Sequence, residues 1–378
     1  MTIDRRAVLL GLGASGVLPL AAFADRKREP AFVTCCRRAD GRFAAAVLDE
    51  DAQLLFTETL DGRGHDAAIA PDGRLAVVFA RRPGRFALVL DLSSHRRLSA
   101  FAPPDDRHFY GHGFFSPDGH LLYATENDFE TERGVLGVYD VALGFRRIAE
   151  IDTHGIGPHE ALFMRNGRTI AVANGGIATH PDYPRQKLNL AEMEPSLVYL
   201  DCETGDLIDH VTLPRTFHQL SIRHMTEAGD GTIWFGGQYE GAQTDPVDLV
   251  GTHETGKDIA LIPAPRALYA AMNQYIGSVA VSADGARVAT TSPRGGRLVI
   301  WDTKTKNPVE MRAIDDVCGA AAYRAGFLLS DGAGGLWHPG NGLAVLDGWS
   351  WDNHIVAVPK GLAQTAQHGR EPHPEAAS

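Results

Sequence analysis

The stretch Ala67-Ala68-Ile69-Ala70-Pro71-Asp72-Gly73-Arg74-Leu75-Ala76-Val77-Val78 carries the fold in miniature. Two apolar runs of small and β-branched residues flank an Asp-Gly pair. Short apolar runs bounded by turn residues read as strands. Asp and Gly both tolerate the positive φ that a tight hairpin demands. A further run, Leu88-Val89-Leu90-Asp91, follows a loop and closes on a carboxylate. The unit is a strand, a tight turn, a second strand, a loop and a third strand ending in Asp.

Outward from this stretch the same unit recurs at a period of about 40 to 55 residues. Phe114-Phe115-Ser116-Pro117-Asp118-Gly119-His120-Leu121-Leu122-Tyr123 closes at Gly137-Val138-Tyr139-Asp140. Ala161-Leu162-Phe163-Met164-Arg165-Asn166-Gly167-Arg168 closes at Leu197-Val198-Tyr199-Leu200-Asp201. A degenerate copy surrounds Asp230-Gly231-Thr232-Ile233-Trp234-Phe235. Val279-Ala280-Val281-Ser282-Ala283-Asp284-Gly285 closes at Leu298-Val299-Ile300-Trp301-Asp302, and a last copy runs from Ala320 to Val345 with its turn at Arg324-Ala325-Gly326. Two fragments remain. Phe32 to Leu60 lacks a first strand, and His354-Ile355-Val356-Ala357-Val358 is a first strand without a blade. Joining them closes a ring and removes exposed sheet edges. The expectation is an all-β, seven-bladed β-propeller of WD40-like repeats over residues 25–360, closed by pairing of the C-terminal strand with the first blade.

The composition agrees. With 378 residues, 44% hydrophobic and 22% charged, neither wholesale disorder nor a coiled coil fits. The net charge of −11, with nothing basic massed to meet phosphates, argues against a nucleic-acid surface. Four cysteines in this length make no disulfide framework. The adjacent Cys35 and Cys36 would point to opposite faces of a strand.

The N-terminus reads as an address. Asp4-Arg5-Arg6-Ala7-Val8-Leu9-Leu10 is a twin-arginine pattern, and the apolar run from Ala7 ends at Ala22-Phe23-Ala24, which offers small residues where a signal peptidase reads. Residues 1–24 are therefore expected to be a signal peptide cut before Asp25, and the protein to be exported folded to the periplasm. Gly11, Gly13, Gly16 and Pro19 weaken the run as a membrane helix, although a retained anchor is the alternative. No other apolar stretch approaches the roughly 20 residues a span needs, so no membrane span is expected after cleavage. Residues 361–378 are polar and are expected to be a disordered tail.

In a propeller the start of each first strand shares one face with the loops between second and third strands. That face carries the long segments here: Glu126–Glu132, Asn174 to Pro195, and Gln238 to Tyr275. The last two exceed the usual length of structureless connections, which points to function. Histidines gather at the same place. His65, His112, His159, His218 and His354 each stand at or just before a first strand, and His224 follows in the strand after His218. With 16 histidines in 378 residues, this placement is selective. Asp66 and Glu160 adjoin two of them, while Glu126, Asp128 and Glu240 come from the facing loops. Asn174, Arg223 and Gln238 complete the candidate lining. Imidazoles bind copper, zinc and iron, and carboxylates either add preference for harder ions or orient the rings. The set is a candidate site for a metal, with iron or copper the expected cofactor, or for an anionic ligand. Arg81, Arg82, Arg185, Lys187 and Arg223 are candidates for holding a carboxylate-bearing ligand on this face, or else are solvated or paired with local acids. The competing view is that each imidazole hydrogen-bonds nearby backbone and organises loops. No nucleophile elbow, His-Glu-x-x-His helix, phosphate-cradling glycine loop or haem-attachment motif is present, so a nucleophile-based enzyme has no support in the sequence, while acid–base chemistry by His and Glu at the channel mouth stays open.

Gly155-Ile156-Gly157-Pro158-His159-Glu160, Ala173-Asn174-Gly175-Gly176-Ile177, Met193-Glu194-Pro195-Ser196-Leu197, Gln219-Leu220-Ser221-Ile222-Arg223-His224 and Gly237-Gln238-Tyr239-Glu240-Gly241 together resemble a bacterial domain-of-unknown-function family of twin-arginine-exported propellers. The resemblance covers nearly the whole chain after residue 24. It implies a periplasmic role in iron handling, with imelysin-type iron-uptake proteins as partners, and brings no catalytic residues. Three readings follow. The first is a binding or scaffold protein in iron or other transition-metal acquisition, with a His/carboxylate site at the channel mouth. The second is a metal-dependent oxidoreductase or hydrolase using the same cluster. The third is a metal-free protein-interaction module.

Overall fold

In the computed structural model the described residues are 28–82, 84–183 and 186–360. The segments read as signal peptide and tail lie outside them. The chain forms seven antiparallel sheets of four strands each, with successive innermost strands in contact around a ring. We number the blades I to VII by those innermost strands: Ser350–Ala357 (I), Gly64–Ile69 (II), Arg107–Phe115 (III), Pro158–Phe163 (IV), Leu220–Glu227 (V), Ser278–Val281 (VI) and Val317–Tyr323 (VII).

Blade I is the composite one. Its inner strand pairs antiparallel with Phe32–Arg37 in the register Phe32↔Ala357, Val33↔Val356 and Thr34↔Ile355. The Thr34 hydroxyl also donates to the His354 carbonyl at 2.6 Å. The first and last described strands are thus joined in one sheet, as the orphan terminal strand demanded.

The tight turns form for the reason the sequence gives. In blade II the Ala70 N–H donates to the Leu75 carbonyl, Gly73 takes φ +72°, and the Asp72 carboxylate accepts the Arg74 N–H at 2.9 Å. The Asp that ends a third strand is a cap. Asp91, Asp201 and Asp302 each accept the N–H groups of the residues two and three positions on.

The core lies between blades. Val33, Cys35, Ala45 and Val47 of blade I meet Ala67, Ala76, Val78 and Leu88 of blade II. On the other face Phe32, Cys36, Ala44 and Ala46 meet Cys318, Ala321 and Leu328 of blade VII. Each sheet is covered on both faces, so its middle strands read as unbroken apolar runs rather than alternating ones. Cys35 and Cys36 do face opposite ways, and all four thiols are free.

Two expectations about the long segments need correction. Gln238 to Tyr275 is not a loop. It holds the third and fourth strands of blade V, Val250–His253 and Ala260–Leu261, and a short helix, Arg266–Ala271. These strands are too short for a periodic signal. Glu126 and Asp128 lie within the strand Leu121–Asp128, not in a loop. Among the described residues no helix is long and apolar enough to cross a membrane.

Candidate metal centre

The hydrogen bond just beyond the end of each inner strand, made to the neighbouring strand of its sheet, gives a common ruler. Its donors are Val358 in blade I, Ala70 in II, Ser116 in III, Met164 in IV and Ala228 in V. Counting back four residues gives His354, Asp66, His112, Glu160 and His224. Imidazole and carboxylate alternate around five consecutive blades. One residue further back stand Asn353, His65, Gly111, His159 and Arg223.

In a regular strand these two layers would point to opposite faces. Here every one of the five inner strands breaks register at this level, between Gly64 and Ala67, Phe109 and Gly113, Pro158 and Glu160, Ile222 and His224, and opposite Thr34 to Cys36. Such bulges re-aim side chains, and both layers contribute to one cluster. Gly111 completes the fit. It adopts φ +107°, and a Cβ there would lie 2.6 Å from the His65 ring.

Five imidazoles converge. Ring centroids lie 4.8 Å apart for His65 and His112, 4.7 Å for His65 and His354, 5.0 Å for His112 and His159, 4.8 Å for His112 and His354, 4.7 Å for His159 and His224, and 4.6 Å for His224 and His354. His65, His112, His224 and His354 are buried, and His159 is half-buried. Two trios, His65–His112–His159 and His112–His224–His354, each bring ligand atoms within 4.8 Å of one another. His112 belongs to both.

Three carboxylates fix the rings. Asp66 lies 2.9 Å from His112 Nδ1, Glu160 lies 3.1 Å from His224 Nδ1, and Asp352 lies 3.2 Å from His65 Nδ1. Asp352 also accepts Arg63 Nε at 2.5 Å and the Asn353 N–H at 2.9 Å, with Arg81 at 3.5 Å. Glu160 accepts the Met225 N–H at 3.3 Å. The Nε2 atoms of His112 and His354 and the Nδ1 of His159 are buried without a partner. A carboxylate on Nδ1 with Nε2 free is the arrangement in which a histidine serves a metal.

The electrostatics follow from burial. Desolvation pulls His65 down to about 3, against the pull of Asp352. Burial, followed by the charge of His224, holds His159 well below its ordinary value. Burial and then His354 do the same to His224. Burial also prevails at His354, against an opposing pull from Asp66. His112 is the exception. Burial lowers it, but the bond and charge of Asp66, with Glu160 beyond, raise it above the usual range. Burial raises Asp66 and Asp352, yet their His and Arg partners hold both carboxyls low. Glu160 is pushed up to about 8, chiefly by desolvation. Most of the cluster is therefore neutral imidazole, the form that binds metals. An all-imidazole donor set suits copper, zinc, iron or nickel rather than calcium or magnesium, which take oxygen.

Other candidates lie apart. His218 follows the short 3₁₀ turn Arg215–Phe217 and bonds the Arg215 carbonyl at 2.9 Å. His224, six residues on, takes the axial place. Glu126 is buried against Tyr139 and Arg147, and Asp128 pairs with Arg107 and Arg133, so both belong to a blade III network. Asn174 donates to the Thr153 carbonyl and to Ser196, and Gln238 forms an isolated bridge with Tyr275. Glu240 pairs with Lys187 and, at 3.6 Å, with Arg223. Arg185 lies outside the described residues. Asp352 was missed by sequence reasoning, although it stands two residues before His354 on the closing strand.

A family model described as "Protein of unknown function (DUF1513)" matches residues 58–358, a span that contains the whole cluster. No curated protein matches the sequence. Among solved structures, Kuenenia stuttgartiensis hydrazine synthase is similar with a TM-score of 0.60 at 14% identity, covering 87% of this chain and 98% of that one. The Cps50 (Swd1) β-propeller domain of Myceliophteria thermophila is similar with a TM-score of 0.53 at 13% identity, covering 80% and 96%. At such identity these likenesses speak for the propeller fold alone.

Proposed function

The chain belongs to the DUF1513 family, and from the axial cluster within its matched span we propose that it is a metal-binding propeller that holds a first-row transition-metal ion, iron or copper, through its imidazoles. The His112–His224–His354 trio carries the proposal. It is buried, its ligand atoms lie within 4.8 Å of one another, and Nε2 of His112 and of His354 lacks a partner. Each buried unsatisfied group costs about 1–3 kcal/mol, and a bound ion would remove that cost. Charge favours the same ion. Asp352 is balanced by Arg63 and Arg81. Asp66 and Glu160 form ion pairs only with histidine among the described residues, and a dication that displaced the protons held by His112 and Glu160 would balance both carboxylates.

The twin-arginine pattern at Asp4–Leu10 supports placing this activity in the periplasm. The family resemblance supports a role in iron acquisition beside imelysin-type partners. The test is elemental analysis of untagged protein purified from the periplasm. About one equivalent of iron or copper, removed by chelation and absent from an H112A/H224A variant, is expected. Wild-type metal content in that variant, or no metal and no uptake on titration, would sink the proposal and leave a metal-free interaction module.

A further inference from the structure

A cleft opens from the cluster on the side of His159, the one half-buried imidazole. Arg82, Tyr110, Gly157, Gly175, Ser221 and Arg223 line it with His159, and it encloses about 210 Å³ including its opening. Even counting that opening it is too small for a drug-sized ligand, and the head of a small anion would sit at its mouth. Its polar groups are unspent. Ser221 is 1% exposed and its hydroxyl has no partner among the described residues. Arg223 Nε is buried and has none either. Among the described residues the Arg223 guanidinium reaches only Glu240, at 3.6 Å, and Glu240 already holds Lys187. Arg82 has no hydrogen-bond or ion-pair partner among the described residues. Two arginines, one shared carboxylate and a buried free hydroxyl leave net positive charge around a small polar hollow.

The floor is kept open by glycine. Gly157 takes φ +69°, and a Cβ on Gly175 would press to 2.7 Å from the Ser221 hydroxyl. Planar guanidinium forks match a two-oxygen anion. The repeat makes the same point. Arg223 occupies in blade V the place that His159 holds in blade IV and His65 in blade II, so the ring of axial ligands gives way to a cation where the cleft begins.

We propose that this cleft binds a small carboxylate or carbonate anion, held by Arg82, Arg223 and Ser221, as a co-ligand and counter-ion beside the metal. The inference rests on the metal reading above and adds the class of the second ligand. The chemistry is shared by free hydrogencarbonate and by a carboxylate arm of an organic chelator that delivers the metal.

The test titrates cobalt(II), a spectroscopic probe, into untagged protein in carbonate-free buffer, alone and with acetate, citrate or hydrogencarbonate. By reciprocal linkage the right anion should tighten cobalt binding about tenfold and change the visible spectrum. R82Q and R223Q should abolish that enhancement, and S221A should weaken it. Enhancement by acetate and citrate alone assigns an organic carboxylate, and by hydrogencarbonate alone a free carbonate. Cobalt bound with no anion effect, or an effect that survives both arginine substitutions, overturns the anion site and leaves the metal reading standing. If neither cobalt(II) nor copper(II) binds, the metal reading fails. Melting of the metal-free protein with each anion then decides the cleft separately: a rise seen in wild type and lost in R223Q keeps it, and no rise rejects it.

Discussion

Loss of His112 should be more damaging than loss of any other imidazole. Its ring stands 4.8, 5.0, 5.4 and 4.8 Å from those of His65, His159, His224 and His354, and it is the member common to both trios. H65A leaves His112–His224–His354 whole, and H354A leaves His65–His112–His159 whole. H112A breaks both. The scale comes from Asp66, which holds His112 Nδ1 at 2.9 Å. Removing an outer partner of this kind typically costs about 10–100-fold in metal affinity, or about 1.4–2.8 kcal/mol at 1.4 kcal/mol per tenfold. D66N should fall in that interval. H112A, which deletes the ligand itself, should exceed it, and H65A and H354A should each cost less than H112A. The assay is competition for copper or cobalt against a chelator of known affinity, with circular dichroism confirming that each variant is folded. H112A binding like wild type, or H65A as severe as H112A, would refute the shared-ligand reasoning.

Three further outcomes are expected. G111A should lower stability by about 1–3 kcal/mol, because an L residue is strained at φ +107°. It should also weaken metal binding by displacing His65, and should do so no further in an H65A background, as calorimetric melting and metal competition would show. T34V removes the donor to the His354 carbonyl in the ring-closing sheet and should cost about 1–2 kcal/mol in urea unfolding; an unchanged midpoint would count against that bond as part of the closure. Glu150 is lowered from 4.5 to about 2, its burial outweighed by bonds to Arg147 and Arg133 and the charge of Arg107. A depressed folded value contributes stability above pH 4.5 that fades as pH falls towards 2. E150Q should therefore melt below wild type at pH 7, with the gap closing in that window; a gap constant across it would contradict the assignment.

The propeller was legible because its information is local. An Asp-Gly turn between apolar runs needs no knowledge of the rest of the chain, and the orphan strand at His354 forced the ring closed. The cluster was harder to read. His65, His112, His159 and His354 could be placed from their position at strand starts. Which of His218 and His224 joins them depends on a bulge between Ile222 and His224, and one extra residue in a strand leaves no mark in a hydrophobic pattern. Asp352 acts across two blades, which no local pattern records. Glu126 was misplaced because the strand Leu121–Asp128 runs past the point where polar residues seemed to end it. There the polar side chains are satisfied by Tyr139, Arg107 and Arg147 instead of by water.

The composite blade sets an order of events. Synthesis releases His65, His112, His159 and His224 in turn, but His354 and Asp352 arrive on the last strand, which must find a partner some 320 residues back. Closing so long a loop costs more closure entropy than any other strand pairing in the ring. Until it happens, one trio has no third imidazole and the other has no carboxylate to hold His65. The centre thus reaches its full form only on a finished ring, and its occupancy would separate completed molecules from those still open.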